Sequence, residues 1–276
     1  MSWLDRLRAL QEARRSLLCV GLDPDPERLP AALHPERDPV EAIYRFVSAL
    51  IAATEEVVCA FKFNTAFYEA HGAAGWAALE ALVSSVPPGP MVILDAKRAD
   101  IPHSARFYAQ ALLGRMPRAD AVTASPYMGL EALEPFWAYP DKAVFVLCRT
   151  SNPGAQTLQE KRLQAGHSLY QEVAAQVNAW ARARSLNLGL VVGATEPEAI
   201  RNVRHKAPEL PLLIPGIGAQ GGALAEAVRY GTAGGGCVLI NVSRSVLEAG
   251  SGPDFAEQAR KQAETLRQLL WAHRSV

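Results

Sequence analysis

Short apolar, β-branched segments recur along this chain, with longer helix-forming stretches between them. This alternation predicts a parallel sheet built from βαβ units, because parallel strands need a long crossover that is usually a helix. We predict strands at residues 16–22, 57–63, 91–94, 121–123, 143–148, 188–192, 212–214 and 237–241. Helices are predicted at residues 39–56, 75–85, 103–116, 169–185 and 255–272, which are rich in Ala, Leu, Arg and Glu.

The polar residues that follow these strands favour a closed (β/α)8 TIM barrel over an open doubly wound sheet, which would show the same alternation. Nearly every apolar segment ends in a polar or Gly/Pro cluster, including DAKRAD, TASPY, RTSNPG and PGIGAQGG. A closed barrel brings all these carboxyl ends to one rim, where its active sites are built. The 276 residues match the usual size of one such barrel, so we expect a single domain over residues 1–276.

The composition of the chain argues against several classes of binding partner. The 28 basic and 28 acidic residues balance, so the chain has no basic surplus that would favour nucleic acid or an anionic membrane as a partner. The first twenty residues scatter charges among apolar positions and do not resemble a signal peptide. The four cysteines are widely spaced within apolar runs, and no histidine or cysteine spacing is typical of a metal site. We therefore expect a cytoplasmic protein with reduced thiols, without a metal, and without nucleic-acid or membrane partners.

The densest cluster of charges follows the third predicted strand. Asp95 and Lys97 share one strand face and can point together into the barrel mouth, and Asp100 follows closely. Two carboxylates beside an ammonium group would hold and aim it, which suits an acid that delivers a proton to carbon. The alternative is a solvated turn with surface ion pairs.

Lys62 and Asn64 lie two positions apart at the end of the second predicted strand, again on one face. A lysine at the end of a buried strand needs a carboxylate partner, and Asp95 on the next strand is the natural one. A structural lysine that extends its ammonium group to solvent is the alternative.

The segment PGIGAQGG, which begins at Pro215 and includes Gly218 and Gln220, follows the seventh strand and opens a helix. Its glycines can expose backbone amides that bind an anion, although a plain tight turn would have the same composition. Arg244 follows the eighth strand and offers a cation beside this loop. Phosphate sites after strands seven and eight are common in this barrel, so the pair is more specific than either member.

Two further features belong to the same rim. Asp23 ends the first strand and could accept hydrogen bonds from sugar hydroxyls, or could cap the turn before Pro24. Thr150 and Ser151 begin a long segment before the helix near residue 169, which is either a lid over the site or a loose linker. The spacing of Thr195 and Glu198 predicts a capping box at a helix start.

Taken in order, Asp23, FKFN, the pattern DxKxxDI, TSNPG, PGIGAQGG and SRS resemble orotidine 5′-monophosphate decarboxylases, specifically their shorter bacterial variant with TSNPG. The resemblance covers nearly the whole chain. It implies a homodimer of barrels that converts orotidylate to uridylate and CO₂ in pyrimidine biosynthesis, with no metal or organic cofactor.

The resemblance also implies roles for the catalytic residues. Lys97 would give a proton to C6 of the pyrimidine, while Asp95 lies against the departing carboxylate. Asp100 would reach the neighbouring subunit's site with Ile101 lining its wall. Lys62 would complete the array and touch the ribose, whose hydroxyls Asp23 would bind.

Other residues are assigned to substrate binding by the same resemblance. Ser151 would hydrogen-bond the pyrimidine, and the amides near Gly218, together with Gln220 and Arg244, would bind the phosphate. Ser104 stands where many relatives have Thr, and Ser243 precedes Arg244 where Gly is frequent. The remaining predicted substrate-binding residues are Asn64 and Pro215.

Two alternatives remain open. Barrel enzymes that decarboxylate or cleave sugar phosphates also have DxKxxD but hold Mg²⁺, and they carry an acidic metal ligand where this chain has Lys62. A non-catalytic barrel that binds a phosphorylated ligand is the second alternative, although a binder has no use for an aimed proton donor.

Overall fold

The structure, a computed structural model, describes residues 2–33, 38–216 and 221–275. Parallel strands pair in chain order and close into a barrel, β1 pairing with β8. The strands are β1 Leu18–Gly21, β2 Ala60–Asn64, β3 Met91–Arg98, β4 Ala121–Ala124, β5 Ala143–Arg149, β6 Leu188–Val192, β7 Leu212–Ile214 and β8 Val238–Val242. The predicted (β/α)8 barrel is therefore confirmed.

An α-helix precedes β1, and α-helices follow every strand except β4, whose connection to β5 over residues 125–142 contains a 3₁₀-helix at Glu134–Ala138. The α-helices are α1 Trp3–Arg14, α2 Pro39–Thr54, α3 Ala66–Glu69, α4 Gly72–Ser85, α5 Pro102–Ala109, α6 Ala155–Leu158, α7 Leu169–Arg184, α8 Pro197–Lys206, α9 Gly221–Thr232, α10 Arg244–Leu247 and α11 Phe255–Ala272. The helix predicted at residues 103–116 changes character at its centre, because α5 continues as a π-helical turn over Gln110–Gly114.

Three strand boundaries differ from the prediction by two residues or more, each for a local reason. β3 runs on to Arg98, so Asp95 and Lys97 belong to the strand itself. β1 begins at Leu18 because the amide of Ser16 is bonded to Gln11 at the end of α1. β2 begins at Ala60 because the amides of Val57 and Val58 both bond to the carbonyl of Thr54 in the turn after α2.

The predicted capping box at Thr195 is wrong. Helix α8 begins at Pro197 with Glu196 at the N-cap and no side-chain cap bond. Thr195 lies one residue too early to cap this helix, and its hydroxyl accepts a hydrogen bond from Arg149 Nη1 at 3.1 Å instead.

Alternating strand residues form two apolar layers. Outward residues pack against the helices, whereas inward residues such as Cys19, Ile93 and Phe145 fill the barrel interior. Helix α1 closes the amino-terminal end of the barrel, where the Trp3 ring meets Phe145 edge-on at 5.6 Å between centroids. The reactive side of the barrel is therefore the opposite, carboxyl end.

All four cysteines are buried and unpaired by disulfides, as the sequence predicted. Within the described ranges, no helix is both long and apolar enough to cross a membrane. Nor do three or more His, Cys, Asp or Glu side chains of those ranges gather in an arrangement that could hold a metal ion.

Candidate active site

Lys62 lies on the inward face of β2 and is only 3% exposed. Its Nζ is 3.4 Å from Asp23 Oδ1 on one side and 3.4 Å from Asp95 Oδ2 on the other. Burial alone would lower the pKa of Lys62, but the two carboxylates outweigh that effect and raise it above its ordinary value. The predicted pairing of Lys62 with Asp95 is present, and it leaves a charged ammonium group inside the barrel mouth.

Asp95 joins Lys62 to Lys97. Lys97 Nζ lies 2.7 Å from Asp95 Oδ1, and the Thr123 hydroxyl donates to the same oxygen at 2.8 Å. Burial would raise the pKa of Asp95, but the two lysines and the hydrogen bonds from Lys97 and Thr123 hold it below its ordinary value. Asp23, Lys62, Asp95 and Lys97 are thus connected by a continuous series of ion pairs, called the Lys–Asp array below.

Thr123, at the carboxyl end of β4, is a site residue that the sequence reasoning missed. Besides its bond to Asp95, its hydroxyl accepts the amide hydrogen of Lys97 at 3.0 Å. The signal that could have identified it is its place in TASPY, one of the polar clusters at the strand ends. Lys97 itself is the open end of the array, with 47% of its side chain exposed.

Asp23 connects the Lys–Asp array to a second region. The Ser243 hydroxyl donates to Asp23 Oδ2 at 2.7 Å, and Ser243 lies directly before Arg244 at the end of β8. Gly21 leaves room for this contact, because a β-carbon there would come within 2.0 Å of Ser243 Oγ. The predicted carbohydrate-binding carboxylate and the predicted phosphate-binding arginine therefore belong to one side of the rim.

This side of the rim is an open cleft of about 670 Å³. It is lined by Asp23, Asp25, Arg28, Phe67, Gly216, Asn241, Ser243, Arg244, Ser245 and Glu248. Arg28 is already paired with Glu248 at 2.5 Å. By contrast, the exposed guanidinium of Arg244 has no hydrogen-bond or ion-pair partner in the part of the chain that the structure describes.

The loop after β7 contributes Gly216 to the lining of this cleft. Pro215 follows the strand directly, and its carbonyl accepts the amide hydrogen of Ala194 at 2.9 Å. The predicted phosphate-binding residues Gly218 and Gln220 lie outside the described residues.

Ser151 lies at the rim between the turns that follow β6 and β7. A β-carbon on Gly193 would approach the Ser151 amide nitrogen to 2.7 Å, and one on Gly216 would approach Ser151 Cβ to 3.0 Å. Both glycines thus permit a close approach that larger residues would block. Asn64 is half-buried at the end of β2, where its side-chain oxygen caps the turn by accepting from the Ala66 amide at 3.2 Å.

Asp100 is not brought into the Lys–Asp array within one chain. Its carboxylate accepts the amide hydrogen of Ile101 at 2.7 Å and makes no ion pair with any described residue. Ile101 is 57% exposed, and Ser104 is half-buried in the first turns of α5. These three residues lie at the start of an outer helix rather than at the barrel axis.

A closed (β/α)8 barrel whose mouth holds the Lys–Asp array beside an arginine-lined cleft defines a class, the barrel enzymes that act on anionic substrates. The chain matches the model of the orotidine 5′-phosphate decarboxylase / HUMPS family over residues 16–261. It belongs to that family.

Individual relatives agree with this membership. The chain is 47% identical over 271 residues to an orotidine 5′-phosphate decarboxylase of Roseiflexus castenholzii, covering 98% of this chain and 97% of the relative. It is 49% identical over 280 residues to one of Verminephrobacter eiseniae, covering 99% and 100%. The solved structure of Leishmania donovani OMP decarboxylase is 42% identical, with a TM-score of 0.80 and coverage of 97% of this chain and 99% of that one.

Proposed function

We propose that this protein decarboxylates orotidine 5′-monophosphate to uridine 5′-monophosphate and CO₂, a step of pyrimidine biosynthesis. The observation that carries the proposal is the Lys97 ammonium group, held 2.7 Å from Asp95 at the open end of a buried charge array. The names of the full-length relatives support the same activity.

The reaction needs an acid at one carbon. Breaking the bond between C6 and the carboxylate leaves its electron pair on C6, where the pyrimidine ring does not readily delocalise it. An ammonium group facing C6 stabilises this developing charge and then supplies the proton that converts it to uridylate. Lys97 is the exposed member of the array and is assigned this role.

Asp95 has two roles in this proposal. It orients Lys97 through their direct ion pair, and its lowered pKa keeps it negatively charged where the substrate carboxylate would lie. Repulsion between the two carboxylates would favour loss of CO₂, although the stabilisation by Lys97 is the larger contribution. Lys62 stabilises the negative charge of Asp95 when no substrate is bound.

The rest of the nucleotide would lie along the rim from the array to the cleft. Asp23, Lys62 and Asn64 would contact the ribose. Arg244, with Pro215, Gly218 and Gln220 of the loop after β7, would bind the phosphate. Ser151 would recognise the pyrimidine and Ser104 would contact the substrate, while Ile101 would line the neighbouring subunit's site.

We further propose a homodimer in which Asp100 completes the partner's site. The Asp100 carboxylate makes no ion pair with any residue that the structure describes, which is consistent with this arrangement. Exposed large apolar side chains lie at the start of α5, within it and in the segment after β4, namely Ile101, Phe107, Tyr108, Tyr127 and Met128. A surface of this kind is typical of a subunit interface.

The remaining features of the proposal are a single barrel domain over residues 1–276, a cytoplasmic location, and catalysis without a metal or an organic cofactor. The strongest competitor is a magnesium-dependent barrel enzyme of similar sequence pattern. The Lys62 ammonium group argues against it, since this group lies 3.4 Å from both Asp23 and Asp95 and would repel a cation there.

The test follows orotidylate absorbance with purified protein treated with a chelator. We expect full turnover and stoichiometric uridylate. Absence of turnover, or turnover that the chelator abolishes and Mg²⁺ restores, would overturn the proposal.

A further inference from the structure

Arg149 is a buried cation at the carboxyl end of β5 that the proposed reaction does not use. It is 3% exposed, and its Nε and Nη2 donate to the same oxygen, Glu160 Oε1, at 3.2 and 2.8 Å. Its Nη1 donates to the carbonyl of Thr150 at 3.0 Å and to the hydroxyl of Thr195 at 3.1 Å. One guanidinium group therefore joins β5, the segment after it and the turn after β6.

The contacts of Arg149 fix the peptide that precedes Ser151. The carbonyl of Thr150 is held by Arg149, while the amide of Thr150 donates to the Gln159 side chain at 2.8 Å. Gln159 is itself tied to α7, because its carbonyl accepts the amide hydrogen of Tyr170 at 2.9 Å. Both backbone polar groups of Thr150 are thus bonded to residues that are anchored elsewhere.

Ser151 follows on this fixed peptide and rests on two glycines. Its backbone lies against Gly193 and its Cβ lies against Gly216, so neither neighbour can give way by moving a side chain. The Glu160 side chain, which is 36% exposed, supplies the only negative charge paired with Arg149 among residues 2–33, 38–216 and 221–275. Removing that charge would leave a buried guanidinium without its counter-ion, which favours its displacement from Thr150.

We propose that Arg149 and Glu160 are positioning residues for recognition of the pyrimidine. They hold the segment from Thr150 so that the Ser151 hydroxyl faces the base, and they act on specificity without touching the substrate. This inference rests on the proposed function, because it assumes that Ser151 contacts the base of uridylate and orotidylate.

The consequence is a selective loss of affinity. If the ion pair orients Ser151, weakening it lowers affinity only for ligands that carry a base. If the ion pair only stabilises the fold, weakening it lowers the stability of the protein and does not change the affinity for one ligand more than for the other.

The experiment compares uridylate with ribose 5-phosphate, which has the same phosphate and sugar but no base, by calorimetric titration. For Glu160→Gln we expect the Kd of uridylate to rise about tenfold, roughly the loss of one hydrogen bond, and that of ribose 5-phosphate to stay within about twofold. Arg149→Lys, which keeps the charge but loses the forked geometry, should show the same selectivity.

Three controls define the result. Ser151→Ala should give the same selective loss, and adding Glu160→Gln to it should weaken uridylate no further. Arg244→Ala should weaken both ligands. Glu198→Gln, which removes a solvent-exposed ion pair with Arg201 on α8, should change neither.

Equal losses for the two ligands, or no loss for either, in folded Glu160→Gln and Arg149→Lys would overturn the inference while leaving the proposed function intact. Failure of the wild-type protein to bind either ligand would overturn the proposed function, and this inference with it.

Discussion

The Lys97 ammonium group lies 2.7 Å from Asp95 Oδ1, and the backbone of Lys97 is in the left-handed region, with φ of 51°. The pairing of β3 with β4 shifts register between Leu94 and Arg98, and the Lys97 amide bonds to the Thr123 side chain rather than to a backbone carbonyl. A left-handed residue other than glycine costs on the order of 1 kcal/mol and persists only where its surroundings enforce it. Such strain at the barrel mouth is expected of a residue held for a chemical role.

The charge state of Asp95 predicts how stability depends on pH. The pKa of Asp95 is lowered in the folded protein from its ordinary value of 3.8. The ionised carboxylate therefore stabilises the fold at pH values above 3.8, and this stabilisation is lost as the pH falls through the lowered pKa. Asp95→Asn removes the stabilisation. The difference in free energy of unfolding between wild type and variant should be largest near neutral pH and shrink below about pH 4. Urea unfolding across this range measures it, and a difference that does not change with pH would contradict the assignment.

Arg244 should matter for affinity more than for chemistry. Arg244→Ala is expected to raise KM for orotidylate about 10- to 100-fold, the loss of charge-assisted bonds to phosphate, with a smaller effect on kcat. Arg28→Ala is the matched control, because Arg28 lines the same cleft but is already paired with Glu248. Steady-state kinetics of both variants measure KM and kcat. An unchanged KM for Arg244→Ala would remove this residue from the phosphate site.

A shared site predicts complementation between two inactive variants. Lys97→Ala mixed with Asp100→Ala should regain about one quarter of wild-type activity, because half of the dimers are hybrids and each hybrid has one intact site. Lys97→Ala mixed with Asp95→Asn should regain none, since these two residues belong to one chain's array. Activity is measured after subunit exchange has been verified. Equal recovery, or none, in both mixtures would argue against Asp100 crossing the interface.

The thiols should be inert in the native protein. Burial raises the pKa of Cys59 to about 12 and that of Cys237 to about 12, and it raises the pKa of Cys19 and Cys148 as well. A thiol reagent at about pH 8 should therefore modify none of them until denaturant is added, after which all should react. Mass spectrometry measures the extent of modification. Rapid modification of the folded protein would contradict the burial of the thiols.

The sequence predicted those features that follow from strand order. Alternating apolar runs identify the strands, and adjacency of the second and third strands predicts that Lys62 meets Asp95. The contacts of Thr123 with Asp95, of Ser243 with Asp23 and of Arg149 with Thr195 were not predictable, because they depend on the register of neighbouring strands and on the direction of each side chain at the rim. The capping box predicted at Thr195 is wrong for a local reason as well, since α8 begins one residue later than the pattern suggested, and Arg149 donates to the Thr195 hydroxyl.

In the proposed reaction, Lys97 protonates the carbon that CO₂ leaves. The most direct measurement is orotidylate turnover by Lys97→Ala, together with uridylate affinity and with Lys261→Ala as a surface control on α11. We expect turnover to fall by about a thousandfold or more while uridylate still binds within about tenfold of wild type, and the control to be unaffected. Wild-type turnover by folded Lys97→Ala would contradict the claim.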